Sequence, residues 1–385
     1  MNMTAQTLNP EVLGSLLDRL GHEAGRFRFE VAPNPCVGAA VLAAGEVVGM
    51  GYHETYGGPH AEIQALAVAR ASGVPQADWD TIAVTLEPCS TTGKTPPCVK
   101  AILDSGIQNV VVSQLDPNPS HEGRGLRMLE DAGLTVRVMD GICRLEDVSP
   151  HFLRWVANER VRRPRPWMIA KWAQTMTGQM TPPADVGEGR WISGQESLME
   201  VQLLRAKVDA LVTGVGTVLA DNPRLSVRPP GRTEHPPARI ILDSWLRTPT
   251  DARLFEEPAE GESAGPVIIM CLPGSNAVRW RALEQAGARI VEIRGEDRKR
   301  LRLLDVQSWL AREGHSRVLL ETGPTLLRRY LESGFVDQVR MITGNVRGGE
   351  GPSLADWIQE AKLKQPMMRE SGSDSVMEAF LGLEF

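Results

Sequence analysis

The sequence predicts an α/β protein built from two domains. Three observations predict this class: strand-like and helix-like stretches alternate along both halves, the 385 residues exceed what one hydrophobic core usually organises, and a charged, proline-rich stretch at 160–166 separates the halves. We therefore predict a first domain at 1–148, a linker at 149–166 and a second domain at 167–385.

The first half begins with a helix. Leucines recur at helical spacing and predict an amphipathic helix at 10–23; they are Leu13, Leu16, Leu17 and Leu20. Strands at 37–42 and 46–52, joined near Ala44, have the pattern of a β-hairpin. The same criteria predict, in order, helix 60–71, strand 81–86, helix 99–105, strand 109–113, helix 126–132 and strand 134–138.

The second half repeats the alternation. A helix is predicted at 197–205, and the predicted strands lie at 167–172, 210–214, 240–242, 267–271, 289–293 and 318–321. An acidic stretch at 256–265 reads as a surface loop. No Gly-x-Gly-x-x-Gly follows a strand, so the usual dinucleotide-binding fingerprint is absent from the sequence.

Composition narrows the class of protein and its partners. Hydrophobic residues make up 42% and charged residues 23%, as in ordinary folded proteins. The net charge of −6, with one short basic run at 160–165, argues against a nucleic-acid surface and for a small-molecule substrate. The five scattered cysteines give no disulfide framework. With no signal-peptide pattern at 1–10 and no membrane-length apolar run, we expect a cytoplasmic protein without a membrane partner.

Two short segments of the first half carry metal-binding residues. They are His60-Ala61-Glu62 and the stretch from Pro88-Cys89 to Pro97-Cys98. One imidazole and two thiolates suit zinc and leave one tetrahedral position open, as in catalytic sites. Glu62 is then free to move protons. A His-x-Glu followed by Pro-Cys and a second Cys is the signature of zinc deaminases, which use a zinc-acidified water. The pattern predicts hydrolytic deamination of an amino-heterocycle.

Each ligand taken alone has an ordinary structural explanation. A single cysteine is usually a core residue, and a single histidine is often a satisfied polar group. A structural zinc, however, wants four protein ligands, and Cys36, Cys143 and Cys271 have no close sequence partner to suggest the fourth. Eight residues separate Cys89 from Cys98, against two in the common deaminase signature, so zinc is indicated while the substrate stays open.

Longer stretches in both halves carry a more specific resemblance. In the first half they are Ala32-Pro33-Asn34-Pro35-Cys36-Val37-Gly38, Gly57-Gly58-Pro59-His60-Ala61-Glu62, Leu86-Glu87-Pro88-Cys89 and Asp116-Pro117-Asn118-Pro119. In the second half they are Arg190-Trp191-Ile192-Ser193-Gly194, Gly214-Val215-Gly216-Thr217 and Glu321-Thr322-Gly323-Pro324. With these stretches, the chain resembles the bifunctional deaminase/reductase family of riboflavin biosynthesis from about residue 10 to about residue 350.

The resemblance implies two folds and two activities. The first domain would be a cytidine-deaminase-like α/β/α domain that uses zinc to deaminate a diaminopyrimidinone phosphoribosylamine. The second would be a dihydrofolate-reductase-like α/β domain that uses NADPH to reduce the ribosyl group to ribityl. The apolar-rich second half also makes us expect a homodimer or homotetramer.

The resemblance also implies roles for single residues. In the deaminase, His60, Cys89 and Cys98 would hold zinc and Glu62 would move protons, with substrate contacts at Asn34 and Lys94. In the reductase, the implied cofactor contacts are Ala173, Trp191, Thr217, Asp221, Ser244 and Gly323. The implied substrate contacts there are Arg205, Leu225, Arg228 and Glu321; arginines suit a substrate phosphate.

Several positions of the second half depart from the family pattern, Met180 and Thr181 among them, and three further ones bear on the reductase. Thr177 stands where the family has the aspartate of Ser-Leu-Asp-Gly, Asn222 replaces the second residue of Asp-Asp-Pro, and Thr322 replaces the first glycine of Glu-Gly-Gly. Two alternatives therefore stay open. The deaminase could be active beside a diverged or inactive reductase half, or the chain could be a non-catalytic, zinc-stabilised binding protein.

Overall fold

The computed structural model describes residues 9–92, 96–161, 165–184, 192–231 and 233–382. The chain divides between residues 162 and 163 into two compact units, each with its own β-sheet. The predicted α/β class is confirmed in both units. None of the helices in the described ranges combines the length and the apolar composition needed to cross a membrane.

The first unit contains seven α-helices and five strands within its described residues. The helices are α1 Pro10–Ala24, α2 Arg28–Val31, α3 Ala61–Ala71, α4 Cys98–Ser105, α5 Arg124–Asp131, α6 Leu145–Val148 and α7 Pro150–Val161. The strands are β1 Gly38–Ala43, β2 Glu46–Tyr52, β3 Thr81–Val84, β4 Asn109–Val112 and β5 Thr135–Val138.

Helix α1 forms where its start signals and apolar stripe coincide. The Asn9 side chain accepts a hydrogen bond from the Glu11 N–H at 2.9 Å, and Pro10 occupies the first turn. The leucines of the predicted stripe are buried in a cluster with Ala40 and Leu42 of β1. The helix therefore covers one face of the first sheet.

The first sheet directs two loops to one edge. Its strand order is β2-β1-β3-β4-β5, with β1 antiparallel to β2 and β3, and with β3, β4 and β5 parallel to one another. Because β3 and β4 are adjacent and parallel, their carboxyl ends meet at the same edge. The chain leaves β3 toward Cys89 and leaves β4 toward Asp116, so these two segments are brought together.

Helix α3 lies unusually close to strand β2. A Cβ atom at Gly51 would lie 2.3 Å from the Ala65 nitrogen, and one at Gly49 would lie 2.5 Å from the Ala65 oxygen, so only glycine fits at these positions. This close approach fixes the first turn of α3, which carries His60 and Glu62, against the sheet.

The segment predicted as a linker contains helix α7. Phe152 and Val156 of α7 are buried in a cluster with Leu86 and Leu145 of the first unit. The charged and proline-rich residues that suggested a linker lie at 160–166, at the end of this helix and beyond it. Residues 150–161 are helical, and the chain passes from the first unit to the second between residues 162 and 163, within the predicted linker 149–166. The predicted domain boundaries stay predictions.

The second unit contains six α-helices and eleven strands within its described residues. The helices are α8 Gln195–Arg205, α9 Val215–Asp221, α10 Ala277–Gln285, α11 Leu303–Arg312, α12 Pro324–Glu332 and α13 Ala355–Glu360. The strands are β6 Trp167–Gln174, β7 Gln179–Thr181, β8 Ala210–Gly214, β9 Ala238–Leu242, β10 Val267–Cys271, β11 Ala288–Glu292, β12 Arg317–Leu320, β13 Gln338–Thr343, β14 Glu350–Ser353, β15 Leu363–Ser371 and β16 Asp374–Leu381.

The large sheet of this unit is mostly parallel. Its order is β11-β10-β9-β8-β12-β6-β13-β16-β15, and neighbouring strands from β11 to β13 are parallel. Strand β8 and its neighbours are buried along their whole length, as expected where both faces of a parallel sheet are covered. Strands β15 and β16 close one edge as an antiparallel pair.

A topological switch point lies between β8 and β12. From β8 the chain continues to β9 on one side, whereas from β12 it continues past β6 to β13 on the other. Right-handed connections that run in opposite directions cross opposite faces of the sheet, so a crevice remains at the carboxyl ends of β8 and β12. Open α/β sheets bind their ligands in such a crevice.

No strand was predicted beyond residue 321, although β13 to β16 lie there. Strand β15 is a sheet edge that contains Pro366 and has a largely polar sequence. Proline and polar residues are tolerated at an edge, where one row of backbone groups and one face meet solvent. The ordinary apolar pattern of a strand is therefore missing from the sequence of β15.

Candidate active sites

The predicted zinc ligands meet at one point of the first unit. One ligand atom from each of His60, Cys89 and Cys98 lies within 4.8 Å of the other two. The His60 Nδ1 atom is 3.5 Å from the Cys89 sulfur and 3.3 Å from the Cys98 sulfur. One nitrogen and two sulfur donors at this spacing suit a tetrahedral zinc with one position left open.

The local fold explains why these three side chains converge. His60 is the residue before α3, Cys89 follows β3, and Cys98 opens α4. The Cys98 N–H donates to the Cys89 sulfur at 3.3 Å. Hydrogen bonds from the Cys98 thiol and from His60 lower the pKa of Cys89 to about 4, although burial opposes this shift. Cys89 is therefore a thiolate at neutral pH, the form that binds metal.

Glu62 lies in the first turn of α3 and is only 3% exposed. Burial raises the pKa of its carboxyl above the ordinary range, while the neighbouring His60 acts in the opposite direction. A raised pKa makes the carboxylate a stronger base than an ordinary glutamate, which favours the uptake of a proton that a shuttle then delivers.

Asn34 is held beside this cluster by a buried histidine. The His53 Nδ1 atom lies 3.1 Å from the Pro59 carbonyl oxygen and therefore carries the proton, so that Nε2 accepts from the Asn34 amide at 3.3 Å. Burial lowers the pKa of His53 to about 4, which keeps the ring neutral. The amide nitrogen of Asn34 is thus committed to His53, and its oxygen is left to meet a ligand. The sequence signal for His53 is its position shortly before the segment that carries His60.

Glu87 was not identified from the sequence, yet it joins the two loops at this edge. Its carboxylate is buried and accepts three backbone hydrogen bonds, from Asp116 at 3.1 Å and from Gly123 and Gly125 at 2.8 Å each. A Cβ atom at Gly125 would lie 2.1 Å from the Pro88 oxygen, so the loop lies directly on the segment that carries Cys89. Burial raises the pKa of Asp116, and the charges of Glu87 and Cys89 contribute to this shift.

In the second unit, two predicted substrate contacts pair with each other. The Arg205 guanidinium donates to both oxygens of Glu321, at 3.2 and 2.5 Å, and to the Ser226 carbonyl at 2.9 Å. Burial would raise the pKa of Glu321, but Arg205, Lys171 and Arg228 outweigh it and lower the pKa. Leu225, next to Ser226, is buried, and Arg228 is exposed with its N–H bound to the Gln202 side chain at 2.9 Å.

Lys171 is a further charged residue at this point. Burial lowers the pKa of its ammonium, Glu321 opposes that shift, and Arg205 and Arg340 add to it. It lies on β6, adjacent to β12, which ends before Glu321. A lysine within the apolar stretch Trp167-Met168-Ile169-Ala170-Lys171-Trp172 is the sequence signal that could have identified it.

Two of the predicted cofactor contacts meet at the switch point. The Gly323 N–H donates to the Thr217 hydroxyl at 3.0 Å. A second bond runs the other way, from the Gly214 N–H to the Thr322 hydroxyl at 3.2 Å. Thr217 lies on α9 after β8, and Gly323 precedes α12 after β12. Hydroxyl donors beside glycines suit the phosphates of a dinucleotide.

The other predicted positions are less closely grouped. Ala173 is half-buried on β6, Ser244 follows β9 at the same edge of the sheet, and Asp221 is exposed at the end of α9. Lys94 and Trp191 lie outside the described residues. The roles of all these positions remain predictions.

The two remaining family departures have local structural partners. Asn222 adopts φ +41°, a left-handed conformation that asparagine tolerates, and its side chain accepts from the Arg253 N–H at 2.9 Å. The Thr177 hydroxyl accepts from the Gly348 N–H at 3.0 Å. Asn222 therefore connects the end of α9 to Arg253, and Thr177 connects the turn between β6 and β7 to Gly348.

Comparisons with known proteins match both units. A model of the cytidine and deoxycytidylate deaminase zinc-binding region matches residues 17–114, and a model of the RibD C-terminal domain matches residues 166–377. The riboflavin biosynthesis protein RibD of Aquifex aeolicus is 35% identical over 360 residues, 90% of this chain and 92% of that protein. RibD of Escherichia coli is 34% identical over 339 residues, 82% of this chain and 83% of that protein.

Solved structures agree with these matches. Acinetobacter baumannii RibD aligns with a TM-score of 0.65 and 27% identity, covering 97% of this chain and 99% of that one. A Thermotoga maritima structure described as a diaminohydroxyphosphoribosylaminopyrimidine deaminase/5-amino-6-(5-phosphoribosylamino)uracil reductase aligns with a TM-score of 0.62 and 27% identity, with the same coverage. The likeness extends over both units.

Proposed function

The chain belongs to the family of the riboflavin biosynthesis protein RibD, and on this premise we propose which of its residues bind and react in each of two activities. It is a bifunctional enzyme that combines a zinc-dependent deaminase with an NADPH-dependent reductase. The deaminase converts diaminohydroxyphosphoribosylaminopyrimidine to the corresponding uracil, and the reductase then converts the ribosyl group to ribityl. The first unit carries the deaminase and the second the reductase.

His60, Cys89 and Cys98 are the residues that would hold zinc. The convergence of their three ligand atoms within 4.8 Å is the observation that carries the assignment. Bound zinc supplies an acidified water at neutral pH, which hydrolytic deamination of an electron-poor ring requires.

Glu62 moves the proton of the reaction. The amino group leaves as ammonia only after it gains a proton, and Glu62, with its raised pKa and position beside His60, can hold that proton and deliver it. The Asn34 amide oxygen, oriented by His53, can accept a hydrogen bond from an amino or ring N–H of the pyrimidine. Lys94 is proposed as a further substrate contact.

In the reductase, Lys171, Arg205 and Glu321 form the substrate end of the site. NADPH supplies the hydride, and reduction of a ribosyl carbonyl or imine carbon also needs a proton on the neighbouring heteroatom. Lys171 has a lowered pKa and can deliver one. Arg205 fixes the Glu321 carboxylate, whose remaining lone pairs can accept from sugar hydroxyls. Leu225 and Arg228 are proposed substrate contacts nearby.

Residues around the switch point are proposed to bind NADPH. Thr217 and Gly323 lie at the carboxyl ends of β8 and β12, where the crevice opens, and Ala173 and Ser244 lie on or after strands of the same sheet. Trp191 and Asp221 complete the proposed set. We also propose that the enzyme is a cytoplasmic homodimer or homotetramer.

Glu62→Gln tests the assignment of the deaminase. Ammonia release from the diaminopyrimidine substrate should fall by a factor of about 100 or more, because general acid–base catalysis contributes that much. Zinc content by metal analysis, and NADPH oxidation with the deaminated product supplied, should stay at the wild-type values. Ammonia release that survives with zinc retained would show that Glu62 is not the shuttle. Wild-type protein that fails to oxidise NADPH would contradict the reductase assignment.

A further inference from the structure

Two hydrogen bonds connect the chain at the carboxyl ends of β8 and β12, where the crevice opens. One runs from the Gly214 N–H to the Thr322 hydroxyl and the other from the Gly323 N–H to the Thr217 hydroxyl. One bond starts from the last residue of β8 and the other ends on the helix that follows it, and both reach the segment after β12. The pair therefore holds the two segments together at the point where the chain connections diverge.

Thr322 is a departure from the family pattern, in which glycine precedes Gly323. A glycine at 322 would leave the Gly214 N–H without this side-chain acceptor. Gly214 itself has little room, since a Cβ atom there would lie 3.1 Å from the Leu326 side chain and 3.4 Å from the Thr322 hydroxyl. The Thr322 hydroxyl therefore lies against the last residue of β8, at the edge where the crevice opens.

The hydroxyl groups of Thr217 and Thr322 each accept one hydrogen bond and still have a proton to donate. A hydroxyl has one proton to donate, and both threonines use a lone pair to accept a backbone N–H. Within the ranges that the structure describes, neither proton has a protein acceptor. Both side chains are half-buried, so each proton is directed to solvent or to a ligand.

We propose that Thr322 binds NADPH together with Thr217, the two hydroxyls donating to oxygens of the dinucleotide diphosphate. This inference rests on the proposed reductase function. Phosphate oxygens are anionic and only accept hydrogen bonds, so they match donors that have no partner of their own. The Thr322 hydroxyl is then a cofactor contact that the family pattern does not supply.

The test compares Thr322→Val with Thr322→Ser in the full-length protein. Valine keeps the shape and removes the hydroxyl, whereas serine keeps it. The Kd of NADPH, measured by quenching of protein fluorescence, should rise about tenfold in Thr322→Val, which is about 1.4 kcal/mol. In Thr322→Ser it should stay within about twofold of wild type. Inorganic diphosphate should compete with NADPH correspondingly less well in Thr322→Val.

Two further measurements separate a direct contact from loosening of the crevice. Adenosine 2′-monophosphate lacks the diphosphate bridge, so its Kd should not change in Thr322→Val, and the KM of the pyrimidine substrate should not change either. Thr250→Val, an exposed position in the same unit, is the matched control and should leave every value unchanged.

The possible outcomes distinguish this proposal from the proposed function. Equal weakening of adenosine 2′-monophosphate and NADPH would assign Thr322 a structural role and overturn the proposal. An effect on the substrate KM alone would assign its hydroxyl to the substrate phosphate and overturn it as well. If Thr322→Val binds NADPH as tightly as the wild-type protein does, the proposal is overturned. The binding of NADPH by the wild-type protein would still support the reductase function. A wild-type protein without NADPH affinity overturns both.

Discussion

Glu87→Gln removes one charge from a buried carboxylate that accepts three backbone hydrogen bonds. One carboxylate oxygen accepts from Asp116 and Gly123, and the other accepts from Gly125. An amide has a single acceptor oxygen, so its NH₂ group must face at least one of these N–H donors. An orphaned buried N–H costs about 1–3 kcal/mol. The remaining bonds lose their charge-assisted strength, so we expect a total loss of about 2–4 kcal/mol.

Urea unfolding of the first unit, followed beside ammonia release and zinc content, measures the effect. We expect a lower unfolding midpoint and a KM for the pyrimidine substrate raised about tenfold, because the Asp116 loop lies on the segment that carries Cys89. Glu130→Gln, an exposed carboxylate on α5, is the matched control. A Glu87→Gln protein within about 0.5 kcal/mol of wild type, the scatter of ordinary surface changes, would refute the reasoning.

Three other changes give distinct readouts. Cys98→Ser should lower zinc affinity at least about 100-fold, because the loss of a residue that only hydrogen-bonds to a metal ligand already costs up to that much. Ammonia release should be abolished while NADPH oxidation persists. Zinc bound at wild-type affinity would contradict this prediction. Burial lowers the pKa of His151 from 6.5 to about 4, so the unfolded state binds more protons between these values and stability is lost as pH falls through this window. The share of His151 in the stability lost between pH 7 and pH 5 should be about 2 kcal/mol in urea unfolding. His151→Gln, which can still donate to the Asn34 carbonyl, should remove this share and leave the similar contribution of His53, whose pKa is also lowered to about 4. Glu378→Gln should destabilise the second unit by about 3 kcal/mol because it breaks the buried ion pair between Arg340 and Glu378. Glu370→Gln, at an exposed position on the neighbouring strand, should change little.

The convergence of the proposed zinc ligands was predictable because zinc binding requires particular side chains. His60, Cys89 and Cys98 have few alternatives as ligands, and their spacing follows from one strand and two helix starts. Glu62 followed from its place in the same motif. The structure adds the convergence of the ligand atoms and the burial of the carboxyl, both of which depend on packing that no motif specifies.

The missed residues act through partners that are distant in the sequence. Glu87 accepts from backbone N–H groups 29 to 38 residues away, and backbone groups leave no mark in a sequence pattern. Lys171 depends on Glu321, which lies on another strand segment of the same sheet edge. The helix Pro150–Val161 lies within the predicted linker, where Phe152 and Val156 pack in a cluster with Leu86, a residue distant in the sequence.

The reductase contacts are implied by the family resemblance and stay predictions; the structure brings some of these residues into contact and leaves others apart. Arg205 pairs with Glu321, and Thr217 pairs with Gly323, across loops more than 100 residues apart in sequence. Asp221, Ser244 and Ala173 have no comparable contact with these pairs among the described residues. The sequence alone could not show which of these residues lie close together, because their distances depend on the strand order of the sheet.

Each unit has its own sheet and its own buried clusters, and this separation has a genetic consequence. A chain that lacks only Glu62 keeps the core around β8 and β12, and a chain that lacks only Lys171 keeps the core around β1 and β3. Two such chains expressed together in a riboflavin auxotroph should therefore restore growth, since each allele contributes the step that the other has lost. Such intragenic complementation would show that the two activities behave as separate genetic functions although one gene encodes them.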